Sequence, residues 1–241
     1  MKQNQNQQPH RPILITGAAR SGTSLTAGII NACGAKGGQL SGPTRHNKRG
    51  MFENQLIRNQ IVKPFLRDNG WDPMGQDPLP RIDEVKDLAA SSGFVARWRE
   101  RVLSILESQG VEDPWFYKGA KLCLIWPLWH AAFPNANWII VRRDAEDIIS
   151  SCLRTSFMRA YKKRSGWLRW LAEHERRFEE MHEAGLGCSE IWPQRMISGD
   201  FTEINMVLNS LGLQYDFNKI IAIVDPGLWR TWLQRRPRHG K

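Results

Sequence analysis

Thr16-Gly17-Ala18-Ala19-Arg20-Ser21-Gly22-Thr23-Ser24 is the stretch that decides the fold. It follows the short apolar run Ile13 to Ile15 and precedes Leu25-Thr26-Ala27-Gly28-Ile29-Ile30, so it reads as a loop between a strand and a helix amino terminus. Successive backbone N–H groups at such a turn, with the helix dipole behind them, form a concave anion site. Gly17 and Gly22 let the backbone approach without a Cβ clash, and Ser21, Thr23 and Ser24 add hydroxyl donors. In the phosphate-loop pattern G-x-x-x-x-G-K-[ST], a lysine reaches the β and γ phosphates and the last hydroxyl binds Mg²⁺. Here the lysine position is Thr23, and Arg20 is the only cation left in the loop. It would act on a phosphate as a forked donor. The plain alternative is a strand-to-helix turn with a solvated arginine.

Outward from the loop, the chain alternates strands and helices. Trp115-Phe116-Tyr117 reads as a second strand ending at Lys118, and residues 121 to 132 as a helix. Asn137 to Val141 is a continuous apolar strand of the kind buried on both faces of a parallel sheet. Asp144 is placed to cap the helix after it. Residues 165 to 183 give a long helix, Ile191 to Ile197 a fourth strand, and Phe201 to Leu211 a helix ended by Gly212. This alternation predicts an α/β fold of the P-loop type, three layers α/β/α around a central, mainly parallel sheet. Ligands of such sheets bind at the carboxyl ends of the strands. The irregular stretches 34 to 50 and 70 to 82 read as surface excursions, and loops of that length are often functional.

The length of 241 residues suits one domain, assigned to 11–241, with 1–10 as a polar, disordered tail. That tail has no apolar centre of the signal-peptide kind. No run approaches the roughly 20 apolar residues of a membrane span, and four scattered cysteines without a C-x-x-C pair indicate neither a zinc site nor a disulfide framework. Both features fit a cytoplasmic protein without a metal. The net charge of +10, dense over 154 to 169 and 230 to 241, attracts anions. A nucleotide, an acidic acceptor, nucleic acid or plain solvation would each account for it.

A second constellation, Val141-Arg142-Arg143-Asp144-Ala145-Glu146-Asp147 with Ser151, ends a strand and opens a helix on the same sheet edge. Arg143 and Ser151, about two helical turns apart, are spaced to hold a phosphate beside the helix.

With these residues the chain resembles the sulfotransferases that use 3′-phosphoadenosine 5′-phosphosulfate (PAPS), over most of residues 12 to 232 and best in their bacterial and phage-like branch. Arg20-Ser21-Gly22-Thr23-Ser24-Leu25 is similar to the family's 5′-phosphosulfate loop, with Ala19 beside it, and Arg143 with Ser151 to its 3′-phosphate motif. Gly50-Met51-Phe52-Glu53-Asn54 and Val224 to Arg230 resemble further family segments. The resemblance implies direct in-line transfer of a sulfonate from PAPS to an acceptor hydroxyl or amine, with PAP as product and no metal. It makes the missing lysine intelligible, because PAPS has no γ-phosphate.

The resemblance also implies roles. Arg20 and the loop amides hold the donor and stabilise charge on the leaving phosphate. Many members place a histidine base after the second strand, but that position is Ala120, while Lys118 survives to touch the bridging or a sulfonate oxygen. Glu53 takes the place of the glutamate base of other branches, with His46 and His130 as alternatives. The adenine-stacking tryptophan position is Leu25, and Arg230, Arg235 or Arg236 stand near the family's late contacts to the 3′-phosphate. Two competing readings are a P-loop kinase-like phosphotransferase, which Thr23 disfavours, and a non-catalytic nucleotide or nucleic-acid binder. The acceptor stays open among carbohydrate, lipid, small metabolite and peptide.

Overall fold

A computed structural model of the chain describes residues 11–229 and Thr231. At its centre lie β1 (Ile13–Thr16) and β3 (Asn137–Val141), flanked by β2 (Phe116–Lys118) and β4 (Ser189–Ile191) in the order β2-β1-β3-β4. All three pairings are parallel, with Ile15 beside Lys118 on one side and beside Ile139 on the other.

Side chains alternate across the strands and so build two separate cores. Ile13, Ile15, Phe116, Ile139 and Val141 face one layer, formed by α1 (Thr23–Ala32), α9 (Thr202–Ser210) and α10 (Phe217–Ile223). Leu14, Tyr117, Trp138 and Ile140 face the other, which holds α2 (Lys63–Asp68), α3 (Ile82–Ala90), α4 (Ser92–Ser108), α5 (Trp126–Ala132) and the carboxyl half of α7 (Arg164–Glu183). A third cluster joins α6 (Ala145–Arg154) to α7 through Ile148, Ile149, Trp167 and Trp170. The result is the three-layer α/β/α fold with a parallel sheet. No helix among the described residues is long and apolar enough to cross a membrane.

Two elements differ from their sequence reading. The fourth strand stops at Ile191, and Pro193–Ile197 is the short helix α8. Pro193 is preset for the first helical turn and has no N–H to give a sheet ladder. The helix read over 121 to 132 begins instead as a tight turn, Cys123–Ile125, before α5.

The amphipathic run after Asn54 opens with a π-helical turn, Ile57–Val62, in which the Lys63 N–H bonds the Arg58 carbonyl. Pro64 follows at once in α2 and cannot donate to the Gln60 carbonyl, which instead accepts from the Arg101 guanidinium at 2.6 Å. That turn carries Arg58 toward the site described next.

Candidate active site

The first loop closes tightly because two glycines permit it. Gly17 has φ 152°, and a Cβ there would lie 2.5 Å from the Val141 carbonyl oxygen, so the ends of β1 and β3 approach only without a side chain. Gly22, at φ 107°, is the N-cap of α1 and packs against Pro193 and the Trp229 ring. Arg20 itself sits at φ 77°, a strained value for a non-glycine residue of the kind kept at functional turns. The first N–H groups of α1 have no intrahelical acceptors, and the buried Ser21 hydroxyl has no hydrogen-bond partner among the described residues. The loop therefore presents unpaired N–H donors at the start of α1.

The second constellation meets the first directly. Arg20 Nε donates to Ser151 Oγ at 2.9 Å, and Arg143 donates to the Arg20 carbonyl at 3.0 Å. Asp144 caps α6 by accepting from the Glu146 and Asp147 N–H groups, which fixes the helix start and hence the Arg143-to-Ser151 spacing. Asp147 holds Arg143 at 3.3 Å, and the guanidinium lies 4.0 Å from the centre of the Trp229 ring. Burial lowers the pKa of both Arg20 and Arg143, with Asp147 opposing it for Arg143. Arg20 Nη2 also reaches the His46 carbonyl at 3.5 Å, so its guanidinium is held between Ser151 of α6 and the 45–49 segment.

The side chain opposite is positioned by the segment 50–54. Gly50 at φ 113° and Phe52 at φ 53° turn the chain sharply, and the Phe52 ring lies against Gly28 of α1. The Met51 carbonyl accepts from Ser24 Oγ at 3.2 Å and from Lys118 Nζ at 3.1 Å. This docking buries Glu53 with only 5% exposed, one carboxylate oxygen 3.1 Å from Lys118 Nζ and the other 2.9 Å from Arg58 Nε. Burial alone would push the Glu53 carboxyl up, but Lys118, Lys121 and Arg58 overcome it and hold it at about 2.

These groups line one cavity of about 750 Å³. Of the residues singled out from the sequence, Ala19, Arg20, Gly22, Thr23, Ser24, Leu25, Glu53, Lys118, Arg143 and Ser151 all line it. Ser21 is buried behind the loop, and Arg230, like Arg235 and Arg236, lies outside the described residues. His46 also lines the cavity, with its Nε2 2.8 Å from Ser156 Oγ. His130 does not line it; its ring packs near Trp126 on α5. From the basic run only Arg154, Thr155, Phe157 and Met158 reach the cavity, whereas Arg164 pairs with Glu146. From the irregular stretches come residues 45–49 and Met74.

Two charged lining residues escaped the sequence reading, Arg58 and Lys121, while Trp229 lay in the segment Val224 to Arg230 without a role of its own. Lys121 follows Lys118 by three residues at a strand end, which is a usable signal, while nothing local marks Arg58.

Comparison with known proteins adds the lineage. No curated protein matches the chain. Among solved structures it is similar to the sulfotransferase domain of the olefin synthase from Synechococcus PCC 7002, 14% identical, covering 98% of this chain and 91% of that one, with a TM-score of 0.59. It is also similar to the sulfotransferase STF9 from Mycobacterium avium, 14% identical over 95% of this chain and 69% of the other, with a TM-score of 0.52. The sulfotransferase STF1 from Mycobacterium tuberculosis H37Rv is 18% identical over 89% and 70%, with a TM-score of 0.45. At these identities the first two, with TM-scores above 0.5, speak for the fold alone. The profile of the sulfotransferase family matches residues 12–215, most of the length, and the chain belongs to that family.

Proposed function

We propose that the protein transfers the sulfonate of PAPS to a hydroxyl or amine of an acceptor, directly and in line. The observation that carries this reading is the contact of Arg20 with Ser151 and Arg143, in the same cavity as the Glu53–Lys118 pair. It joins the two phosphate motifs into one anion cradle and sets a carboxylate opposite.

The loop amides, Thr23 and Arg20 hold the 5′ end of the donor, and Arg143 with Ser151 takes the 3′-phosphate. The acceptor oxygen attacks sulfur, the bond from sulfur to the bridging oxygen breaks, and PAP leaves with that electron pair. The acceptor's proton passes to Glu53. Lys118 is the cation beside Glu53 and so serves the transferring group, while Arg20 serves the phosphates. At rest Lys118 helps hold the Glu53 carboxyl at about 2, too low for an effective base. A sulfonate that draws Lys118 toward itself weakens that hold, so donor binding raises the basicity of Glu53 when it is needed.

Thermal unfolding tests the donor. PAP stabilises the protein without Mg²⁺ and ATP with Mg²⁺ does little; the reverse ranking points to a phosphotransferase. Incubation of cell extract with radiolabelled PAPS and the protein labels an acceptor. PAP binding without any label transfer would reduce the protein to a nucleotide binder.

A further inference from the structure

The first loop follows β1 and Arg143 follows β3, whereas Lys118, the last residue of β2, and Lys121 just beyond it enter the same cavity from the neighbouring strand. Lys121 is only 7% exposed, and its side chain lines that cavity. Among the described residues its ammonium makes no hydrogen bond and no ion pair. The carboxylate that acts on it is Glu53, and Glu53 is already shared by Lys118 and Arg58. Three cations thus surround one carboxylate, and Lys63 adds further positive field. Lys121 is also held in place. The φ of Gly75 is 71°, and a Cβ there would lie 2.9 Å from Lys121 Cγ, so the 72–78 turn rests on the lysine stem. Asp72 braces that turn by accepting from the Met74 and Gln76 N–H groups.

A buried ammonium whose carboxylate is already paired with two other cations is costly, and a chain tolerates one where a ligand supplies further negative charge. Lys118 and Arg20 already answer to the donor. We propose that Lys121 forms an anion subsite beside Glu53, so that the acceptor carries a fixed oxyanion, a carboxylate, sulfate or phosphate group, close to the hydroxyl or amine that receives the sulfonate. This rests on the transferase reading of the cavity. It narrows the acceptor to anionic compounds, and Arg45, Lys48, Arg49 and Arg154 around the cavity favour their entry.

The decisive measurement is inorganic phosphate binding to the protein saturated with PAPS, which fills the donor subsites, by calorimetry. Wild type binds one phosphate; Lys121→Met weakens it about tenfold or more, and Lys121→Arg restores it. Affinity for PAP stays within about twofold of wild type in both variants. No phosphate site on the PAPS-saturated protein, or unchanged binding in Lys121→Met, overturns the proposal. As a second arm, cell extract is split by anion exchange into a flow-through and a retained pool. Label from PAPS appears in the retained pool; label mainly in the flow-through pool overturns the anionic acceptor. If PAP itself fails to stabilise the wild type, the donor reading falls separately, and the loss of phosphate binding in Lys121→Met on the free protein still reads the site.

Discussion

Arg20 Nε and Ser151 Oγ are hydrogen-bonded at 2.9 Å although 131 residues separate them, so the loop after β1 and the helix after β3 meet in one cavity. On the proposed reading, a donor that bears both a 5′ and a 3′ phosphoryl group spans that contact. Ser151→Ala therefore weakens PAP by about 10–150-fold, the worth of one hydrogen bond to a charged group. Adenosine 5′-phosphate, which lacks the 3′ group, loses little. Equal losses for the two ligands would show that Ser151 only braces Arg20.

Glu53→Gln keeps the shape and removes the proposed proton acceptor. Turnover drops about 10²–10⁴-fold, while PAP affinity changes far less, because Glu53 faces Lys118 and Arg58 and makes no contact with Arg143 or Ser151. Near-normal turnover with retained PAP binding sinks the assignment and turns attention to His46.

His174 gives the fold a pH dependence of its own. Its ring is 1% exposed and donates to the Trp170 carbonyl at 2.9 Å. Burial lowers its pKa from 6.5 to about 4. The folded protein thus resists protonation that the unfolded chain accepts below the ordinary value. This contribution is fully present above about pH 6.5 and is lost as pH falls toward 4, at up to about 1.4 kcal/mol per unit. Denaturant unfolding at a series of pH values checks it, and His174→Phe flattens that part of the curve.

Gly17→Ala places a methyl 2.5 Å from the Val141 carbonyl oxygen at a φ of 152°. Overpacking and backbone strain together cost about 2–4 kcal/mol, a clear drop in the unfolding temperature. PAP affinity falls as well, because β1 and β3 must part. An unperturbed unfolding temperature would mean that the two strand ends can separate freely.

The elements most legible beforehand were those with local causes. The apolar runs at Ile13 and Trp138 became the central strands, Asp144 capped its helix, and the glycines of the first loop closed it. The strand read over Ile191 to Ile197 extended too far because apolar content outweighed the helix-starting signal of Pro193. Among site residues, Arg20 was visible as a cation in the loop, but its rotation toward Ser151 was not, since nothing near position 20 encodes a partner 131 residues away.

The sequence by itself determined the glycine turn after β1, the parallel strands on either side of it and the capped helix that carries Ser151, because glycine spacing, hydrophobic runs and caps act within a few residues. Only the tertiary structure decided which charges face one another. The docking of Phe52 on Gly28 buries Glu53 between Lys118 and Arg58, and the 72–78 turn presses Lys121 into the same cavity. Those pairings depend on the packing of segments far apart in the chain, and burial there sets the strength of each charge.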